Sequence, residues 1–412
     1  MRIKHLYFFV AAYFRFWARC VLHRWKPRVI VVTGSSGKTT LFHLIESQLG
    51  TEAEYAYAAN SALGIPFHIL GMPTNVTKRS AWPMTFFIAP FKAFRRVPKK
   101  PLYIVEADTD RPGEGAFLGR LLRPEVTLWV SVSDSHAMNF DRLVRSGAFL
   151  KPIEAIAFDF GSIVAATQKL AVVDGESAYM MQQVERLKEN VSVETVSMMN
   201  ITDHSFSRDN TKFVINSKKY ALPGIHPKEI GISVQLLESL LTYLGRPIDA
   251  SFEKLEMPPG RSSVFNGVKG TTLIDSTYNT GLAAMTAILN LFAEYPARGT
   301  KWVVIGDILE QGDIEALQHE RLADSIANIE PDHVVLLGPR TKLSTAPKLQ
   351  KLLPHTPVVS FESPSKVLRY LQENIQGSET VLFKGGRFLE GVIDELLQEP
   401  ADSAKLVRRE AL

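Results

Sequence analysis

The chain has 412 residues, of which 45% are hydrophobic and 22% are charged, a composition that is ordinary for a globular protein of two or three domains. Its only cysteine, Cys20, excludes an internal disulfide framework and a zinc ribbon, so the composition fits a reducing cytosol best. The formal net charge of +4 is small as a total, but its distribution along the chain is uneven.

Residues 1–28 carry seven Lys and Arg residues, and the first acidic residue of the chain is Glu46. Because large apolar and aromatic side chains lie between these cations, the pattern predicts an amphipathic helix and argues against nucleic-acid binding. The uncharged run 6–14 is too short to span a bilayer. A longer spanning segment would place Arg15 and Arg19 in the apolar core of the membrane. No small-residue cleavage pattern of a signal peptide precedes residue 29.

Two interpretations of this helix stay open. It could lie on an anionic membrane surface, or it could pack on its own protein or on a second subunit. A second aromatic and basic stretch, residues 82–100, would on its own indicate an exposed loop with a solvated charge run. Together with residues 1–28 it favours a surface that meets lipid or a lipid-linked molecule.

A glycine-rich segment follows the first predicted strand, residues 29–32, and precedes a predicted helix at 41–49. A polyphosphate needs inward-pointing backbone N–H groups, one cation for its terminal phosphates and one hydroxyl for the accompanying Mg²⁺. The pattern GxxGKT, two residues tighter than the usual Walker A motif, supplies all three. It therefore predicts a site for ATP and Mg²⁺ formed by Gly34, Ser35, Ser36, Gly37, Lys38, Thr39 and Thr40.

Two later strands are expected to end near the same site. Residues 102–105 lead into Glu106 and Asp108, and residues 126–132 precede His136. Ligands of open α/β sheets bind beyond the carboxyl ends of the strands, so either carboxylate could reach the metal. His136 would then be a metal or substrate ligand, although a loop histidine without a ligand is the common alternative.

The remaining chain alternates between strand and helix patterns. Helices are predicted at 182–189 and 233–244, with β-hairpins over 195–222. The C-terminal part contains a series of short apolar strands with helices between them, at 273–275, 302–305, 334–337, 358–361 and 381–383. This order predicts an α/β protein with an open, mostly parallel second sheet.

Several ordered motifs resemble the Mur ligase family, which builds the peptide of bacterial cell-wall precursors. TGSSGKTT, NSALGIP, VEADTDRPGEGAFLGRLLRPE and SVSDSHAMNF resemble its central ATPase domain. PPGR at 258–261 and LIDSTYN at 273–279 resemble its arginine hinge and the first strand of its C-terminal domain. VVIGDILEQG at 303–312 with His319, and LFKGGR at 382–387, look most like the members that add D-alanyl-D-alanine to the UDP-muramoyl tripeptide. The resemblance implies a P-loop ATPase domain at 29–260 and a Rossmann-like ligase domain at 261–398. The amphipathic pattern predicts a helix at 1–28 before them, and the polar residues 399–412 predict a tail after them.

The resemblance also implies residue roles. Lys38 and Thr39 would hold the ATP phosphates and the first Mg²⁺, with Glu106 on that metal and His136 near a second one. Arg261 and Asp275 would contact the nucleotide. Candidates for contact with the muropeptide or the incoming amine are Asn60, Asn279, His319 and Lys384, while Glu310 is a further candidate for the amine. For His319 and Glu310 a solvated helix or loop residue without a ligand is an equal alternative. The implied reaction is ATP-dependent amide formation through an acyl phosphate.

Some residues depart from the family pattern. Phe160 stands where a carbamoylated lysine would bridge two metals, so Asp159 substitutes, or the second metal is held differently, or turnover is reduced or lost. Ser131 and Ser276 replace an asparagine and an aspartate. Only residues 1–28 precede the ATPase domain here, so the UDP-binding domain of the family is expected to be absent.

Three functions therefore remain open from the sequence. The first is a cytoplasmic ligase, peripheral at the inner face of the membrane, that adds D-alanyl-D-alanine or a similar amine to a muropeptide which could be lipid-linked. The second is a membrane-associated nucleotide-binding scaffold or regulator that has lost turnover. The third is a ligase of the same mechanism acting on a folate or an amino-acid polymer.

Overall fold

The computed structural model of the chain describes residues 2–57, 59–74, 82–278, 281–385 and 388–407, with side chains from residue 7 onward. The predicted substrate residue Asn279 lies outside these ranges. The chain forms two compact units, each of which is described separately. Unit 1 comprises residues 1–134, 139–200 and 231–249, and unit 2 comprises residues 135–138, 201–230 and 250–412.

The helices and strands alternate along the chain as the sequence predicts. The strands are β1 (Arg28–Thr33), β2 (Ala53–Ala56), β3 (Leu102–Ala107), β4 (Val126–Trp129), β5 (Leu170–Asp174), β6 (Ser192–Val196), β7 (Ile201–Phe206), β8 (Asn210–Ile215), β9 (Lys218–Pro223), β10 (Ser263–Asn266), β11 (Thr272–Ser276), β12 (Lys301–Gly306), β13 (His333–Leu337), β14 (Val358–Phe361) and β15 (Thr380–Lys384). The helices are α1 (Arg2–Trp25), α2 (Lys38–Leu49), α3 (Gly64–Leu70), α4 (Trp82–Ala93), α5 (Glu114–Leu122), α6 (Asp141–Arg145), α7 (Pro152–Val164), α8 (Ala178–Val184), α9 (Ile230–Leu244), α10 (Leu282–Glu294), α11 (Glu315–Ala327), α12 (Ala346–Leu352), α13 (Pro364–Asn374) and α14 (Leu389–Asp394).

Unit 1 is built on a six-stranded parallel sheet in the order β2-β3-β1-β4-β5-β6. Strand β1 is apolar and buried over most of its length, as expected for a central strand covered on both faces. Its neighbours β3 and β4 leave the sheet in the same direction, with Thr33 beside Ala107 and Trp129. The carboxyl ends of these three strands therefore form one edge, where ligands of such sheets bind.

Helix α1 is an integral part of unit 1. Ala11, Phe14, Ala18 and Val21 are buried and recur at the spacing of one helical face, in a core shared with α3, α4 and β3. The packed-helix interpretation is therefore correct for this face. None of the described helices has the length and apolarity needed to cross a membrane.

Unit 2 is built on a second six-stranded sheet in the order β10-β11-β15-β12-β13-β14. Only the edge strand β10 is antiparallel. The small antiparallel sheet β7-β8-β9 also belongs to this unit. The predicted α/β fold, with a P-loop domain and a Rossmann-like parallel-sheet domain, is confirmed.

Several local predictions were wrong. The helix predicted at 182–189 lies instead at Ala178–Val184, where the side chain of Ser177 accepts a hydrogen bond from Met180 N and begins it. Residues 82–93, which alone indicated a loop, form α4 despite Pro90. Residues 195–196 end β6 of the first sheet rather than opening a hairpin.

The compact units do not coincide with the predicted domains. Residues 201–230 group with the C-terminal part, and the predicted boundary between residues 260 and 261 lies inside unit 2. In the predicted tail, residues Pro400–Lys405 form a short 3₁₀ turn, and Leu406 is buried against the second sheet.

Candidate functional site

The glycine-rich loop turns sharply after β1. Gly34 and Gly37 have φ angles of 134° and 80°, which side chains with a Cβ rarely adopt. A Cβ on Gly34 would also lie 2.8 Å from the backbone N and O of Ser131. Helix α2 begins directly after Gly37, so its first N–H groups point into the loop. The tight turn and the helix start that the sequence predicts are therefore present, while phosphate binding by this loop stays a prediction.

Two serines after β4 fix the loop in place. The Ser131 hydroxyl accepts from Ser36 N at 2.9 Å and donates to Ser36 O at 2.9 Å. Ser35 Oγ accepts from Ser133 N at 2.9 Å and donates to Ser133 O at 3.1 Å. The residue that departs from the family pattern at position 131 is thus a support of the loop.

We expect Ser131→Ala to weaken ATP binding several-fold and to lower the free energy of unfolding by about 1 kcal/mol, because Ser36 N loses its acceptor. Isothermal titration calorimetry and urea denaturation measure the two effects. Ser133→Ala is the matched control, since Ser133 supports the loop through its backbone. Equal ATP affinities for the two variants would contradict the prediction.

Lys38 is buried inside the loop. Its ammonium group donates to Gly34 O at 2.5 Å and forms an ion pair with Asp108 Oδ2 at 2.8 Å. Burial lowers the pKa of Lys38, but Asp108 and Glu106 outweigh that effect and the net shift is upward. Lys38 therefore stays charged, as a ligand for terminal phosphates requires.

A hydroxyl and a carboxylate meet beside this lysine. Thr39 Oγ1 donates to Glu106 Oε2 at 3.0 Å, across the edge formed by β1 and β3. Oxygen donors of this kind are the ligands that Mg²⁺ prefers, and Mg²⁺ commonly uses one or two protein groups together with substrate phosphates. The pair therefore fits the predicted first metal site.

The loop of residues 60–64 (NSALG) lies next to the ion pair of Lys38 and Asp108. Asn60 O accepts a hydrogen bond from Asp108 N at 2.8 Å. The predicted substrate residue Asn60 therefore contacts Asp108, the residue that pairs with Lys38. Ala62 N donates to Glu114 Oε1 at 2.7 Å, and Tyr7 OH of α1 donates to the same oxygen at 3.2 Å. Helix α1 therefore contacts Glu114, the side chain that holds this loop.

The buried carboxyl of Glu114 predicts a pH dependence of stability. Burial, partly opposed by Ala62 N, raises its pKa from 4.5 to about 7. The folded state therefore holds this proton more tightly than the unfolded state. The stabilisation is complete below pH 4.5 and is lost as the pH rises through about 7, which amounts to about 3 kcal/mol.

We expect Glu114→Gln to remove this pH-dependent stabilisation. The free energy of unfolding of the variant should therefore change less between about pH 5 and pH 8 than that of the natural protein. Urea denaturation at both pH values measures the change. Asp159, whose pKa burial raises to about 6, contributes in the same direction and is retained in both proteins. Parallel pH profiles for the two proteins would contradict the prediction.

Asp159 and Phe160 take structural positions. Asp159 accepts from Gly113 N at 2.8 Å and from Gly115 N at 3.1 Å, so both carboxylate oxygens stabilise the start of α5. Phe160 is buried beside Trp129, with ring centroids 6.2 Å apart. The interpretation that Asp159 replaces the lysine as a metal ligand is therefore not favoured.

In unit 2 the predicted residues gather at the carboxyl ends of β11 and β15. Asp275 is fully buried and accepts from Thr277 N and Oγ1, while its other oxygen, Oδ2, has no hydrogen-bond partner among the described residues. Lys384 Nζ lies 3.4 Å from Ser276 Oγ, and burial together with Arg261 lowers its pKa to about 7. Arg261 stacks on the Tyr278 ring at 4.1 Å.

The two histidines that the sequence predicts as ligands, His136 and His319, differ in accessibility. His319 is fully buried, with Nε2 accepting from Ile308 N at 3.1 Å and Nδ1 facing Glu315 O at 2.8 Å. Both ring nitrogens are occupied by backbone groups, so the geometry favours a positioning role for His319. His136 has a φ of 55° and is partly exposed, and its Nδ1 pairs with the Glu310 carboxylate, also in unit 2. Their predicted ligand contacts stay predictions.

Sequence reasoning missed three supports of the site. Asp108 was considered only as a metal ligand, whereas it pairs with Lys38. Ser131 and Glu114 were not assigned a role. A signal existed for Ser131, because a polar residue after a buried strand lies at the ligand-binding edge of a parallel sheet. The motif gave no sign of the role of Glu114, because its partners Tyr7 and Ala62 are distant in sequence.

Comparisons with known proteins agree with this geometry. Residues 32–237 match the model of the Mur ligase middle domain, and residues 260–387 match the Mur ligase, glutamate ligase domain. A similar protein is the UDP-N-acetylmuramoyl-tripeptide–D-alanyl-D-alanine ligase of Bacillus subtilis, 24% identical over 393 residues that span 93% of this chain and 79% of the relative.

Two solved structures share the fold. The MurF ligase of Thermotoga maritima in complex with ADP has a TM-score of 0.72 and 19% identity, covering 93% of this chain and 83% of that one. MurF of Acinetobacter baumannii has a TM-score of 0.71 and 20% identity, covering 93% and 79%.

Proposed function

Because the chain belongs to the Mur ligase family, we propose that it joins a carboxylate of a cell-wall muropeptide precursor to the amine of D-alanyl-D-alanine or a similar amino compound, using ATP. The relative from Bacillus subtilis carries the name of such a ligase. The observation that supports the proposal most directly is the loop of residues 34–40, with buried Lys38 and the Thr39–Glu106 pair at one sheet edge.

In the proposed reaction, an oxygen of the acceptor carboxylate attacks the γ-phosphorus of ATP, and ADP leaves. The amine then attacks the resulting acyl phosphate, loses a proton and displaces inorganic phosphate as the amide forms. Lys38 and the loop amides would hold the phosphates, because they place positive charge where the transferred group is most negative. Thr39 and Glu106 would hold Mg²⁺, which supplies further charge neutralisation when it is bound.

Residues of unit 2 are proposed for the other ligands. Arg261 and Asp275 would contact the nucleotide, and Lys384 would contact the substrate. The pKa of Lys384, lowered to about 7, would leave a fraction of this amine neutral near neutral pH. Asn60 would contact the acceptor from its loop beside Asp108.

A cytoplasmic location at the inner face of the membrane would give this ligase access to ATP and to a lipid-linked acceptor. Support for such an acceptor comes from the aromatic and basic residues of 1–28 and 82–100. Turnover with the UDP-linked or with the lipid-linked acceptor distinguishes the two possibilities.

The test is ATP-to-ADP turnover by the purified chain with D-alanyl-D-alanine and either the UDP-linked or the lipid-linked muramoyl tripeptide, with Lys38→Met as the blank. Turnover that requires both substrates and disappears in the blank supports the ligase, and the acceptor that works identifies the substrate. ATP binding without turnover on either acceptor would overturn the proposal. It would favour the scaffold alternative, for which Phe160 in place of the family lysine is the motivating observation.

A further inference from the structure

Helix α1 has a second apolar face, opposite the buried one. Its buried residues Ala11, Phe14 and Ala18 follow one side of the helix. Phe9 and Phe16 are seven residues apart, so at 3.6 residues per turn they share a side, and that side is opposite the buried one. Phe9 is 77% exposed and Phe16 is 60% exposed. Large aromatic rings therefore occupy positions where a globular protein normally carries polar side chains.

Helix α4 repeats this arrangement. It buries the small residues Thr85, Ala89 and Ala93 against unit 1. The outward positions 84, 87 and 91 of the helix, and position 94 directly after its last residue, follow one another at the spacing of a single helical stripe. They are occupied by side chains that are each 60–68% exposed, namely Met84, Phe87, Phe91 and Phe94. With Phe9 and Phe16, these four side chains form what we call the outer aromatic face.

The two helices carry this face on one rigid support. Tyr13 OH of α1 donates to Phe86 O of α4 at 2.8 Å, and Arg24 Nη1 donates to Ala93 O at 2.7 Å. Trp17 connects the exposed rings, since its ring lies 4.9 Å from that of Phe16 and 6.4 Å from that of Phe94. Five of the seven exposed phenylalanines in the described structure belong to this face.

The two segments that carry the face contain charged side chains of one sign only. Residues 1–28 and 82–100 contain twelve of the chain's 47 Lys and Arg residues and none of its 43 Asp and Glu residues. Arg19, Lys26, Arg96 and Lys99 are exposed cations within these segments. A second copy of the chain would bring like charges together at this face, whereas an anionic surface would complement them.

We propose that the outer aromatic face docks on an anionic lipid bilayer. The phenylalanine rings enter the boundary between headgroups and acyl chains, while the exposed cations meet anionic headgroups. The helices lie in the plane of the membrane. This inference deepens the membrane contact of the proposed function by naming the side chains and the lipid charge, and it rests on that contact but not on the ligase reaction.

The test is co-sedimentation of the full chain with vesicles of phosphatidylcholine alone or mixed with phosphatidylglycerol. Point variants are required, because deleting α1 would also remove Phe14 and other core residues. One variant is Phe87→Ser with Phe91→Ser, and another is Arg96→Glu with Lys99→Glu. Leu150→Ser is the control, because Leu150 is a large apolar side chain that is even more exposed, at 84%, but lies outside the face.

We expect the natural protein and the Leu150→Ser variant to bind the mixed vesicles and to bind the neutral ones at least about tenfold more weakly. Both double variants should lose at least about tenfold in affinity for the mixed vesicles, and salt should weaken binding of the natural protein. All variants should retain ATP binding. Far-ultraviolet circular dichroism checks that each is folded.

Three results would overturn the inference. The first is a natural protein that does not bind the mixed vesicles, and the second is a Phe87→Ser, Phe91→Ser variant that binds them as well as the natural protein does. The third is self-association abolished by that variant without any vesicle binding, which would mean that a second copy covers the face. Vesicle binding without ligase turnover would overturn the proposed reaction and support the docking surface.

Discussion

Replacing Lys38 with methionine is expected to lower ATP turnover by about a thousandfold or more, because the transferring phosphoryl group loses the buried cation of the loop. Lys38 is the charged side chain that hydrogen bonds to the glycine-rich loop itself, through Gly34 O at 2.5 Å. A coupled assay of ADP release in the presence of both substrates measures the effect. Turnover within about tenfold of the natural protein would contradict the assignment.

The same substitution is expected to destabilise the fold, and a second variant separates the two effects. Removing one partner of a buried ion pair leaves the other charge uncompensated, at a cost of about 3–5 kcal/mol. Asp108 would be that charge, since it is buried and lies 2.8 Å from Lys38. Lys38→Met with Asp108→Asn should therefore recover much of the free energy of unfolding but not the turnover. Recovery of both would mean that the single variant is inactive only because it is unstable.

Replacing Phe14 with alanine is expected to lower the free energy of unfolding by about 3–5 kcal/mol, as for a large aromatic side chain in a core. Phe14 is fully buried, and its ring centroid lies 4.7 Å from that of Phe67 and 5.0 Å from that of Phe86. Urea denaturation followed by circular dichroism measures the loss.

Phe16→Ala is the matched control, because it removes the same side chain two residues further along the same helix. Phe16 is 60% exposed, so we expect a change of at most about 0.5 kcal/mol. A large loss for Phe14→Ala and a small one for Phe16→Ala would establish that α1 is part of the core of unit 1. Equal losses for the two variants would contradict the described packing.

The parts of the site that were best predicted from the sequence are those formed by residues close together along the chain. The loop of residues 34–40 has its strand, glycines, lysine and threonine in one short motif, so its geometry follows from local chemistry. The Thr39–Glu106 pair was also predictable, because Glu106 lies at the carboxyl end of a buried strand and Thr39 follows the glycine-rich loop after a neighbouring strand of the same sheet.

Prediction failed where the partner of a residue lies far along the chain. The amphipathic pattern of α1 identified two faces but not what covers the inner one, since α3 and α4 are distant in sequence. Helix α4 was missed because its prolines and the basic run that follows it are typical of an exposed loop, whereas packing of its small residues on the core outweighs that local preference. Asp159 resembled a metal ligand until its bonds to the start of α5 were visible.

The discontinuous path of the chain through unit 2 restricts how this protein can be recombined with its relatives. The chain leaves unit 1 after Asn200 and returns at Gly231. In between, Phe206 stacks on Tyr295, and Ile225 lies in the core that contains Ile274. A chimera joined at residue 260 would combine these side chains with a foreign core. One that carries residues 135–138, 201–230 and 250–412 together keeps the contacts within this unit, so modular exchange must follow the core rather than the linear order.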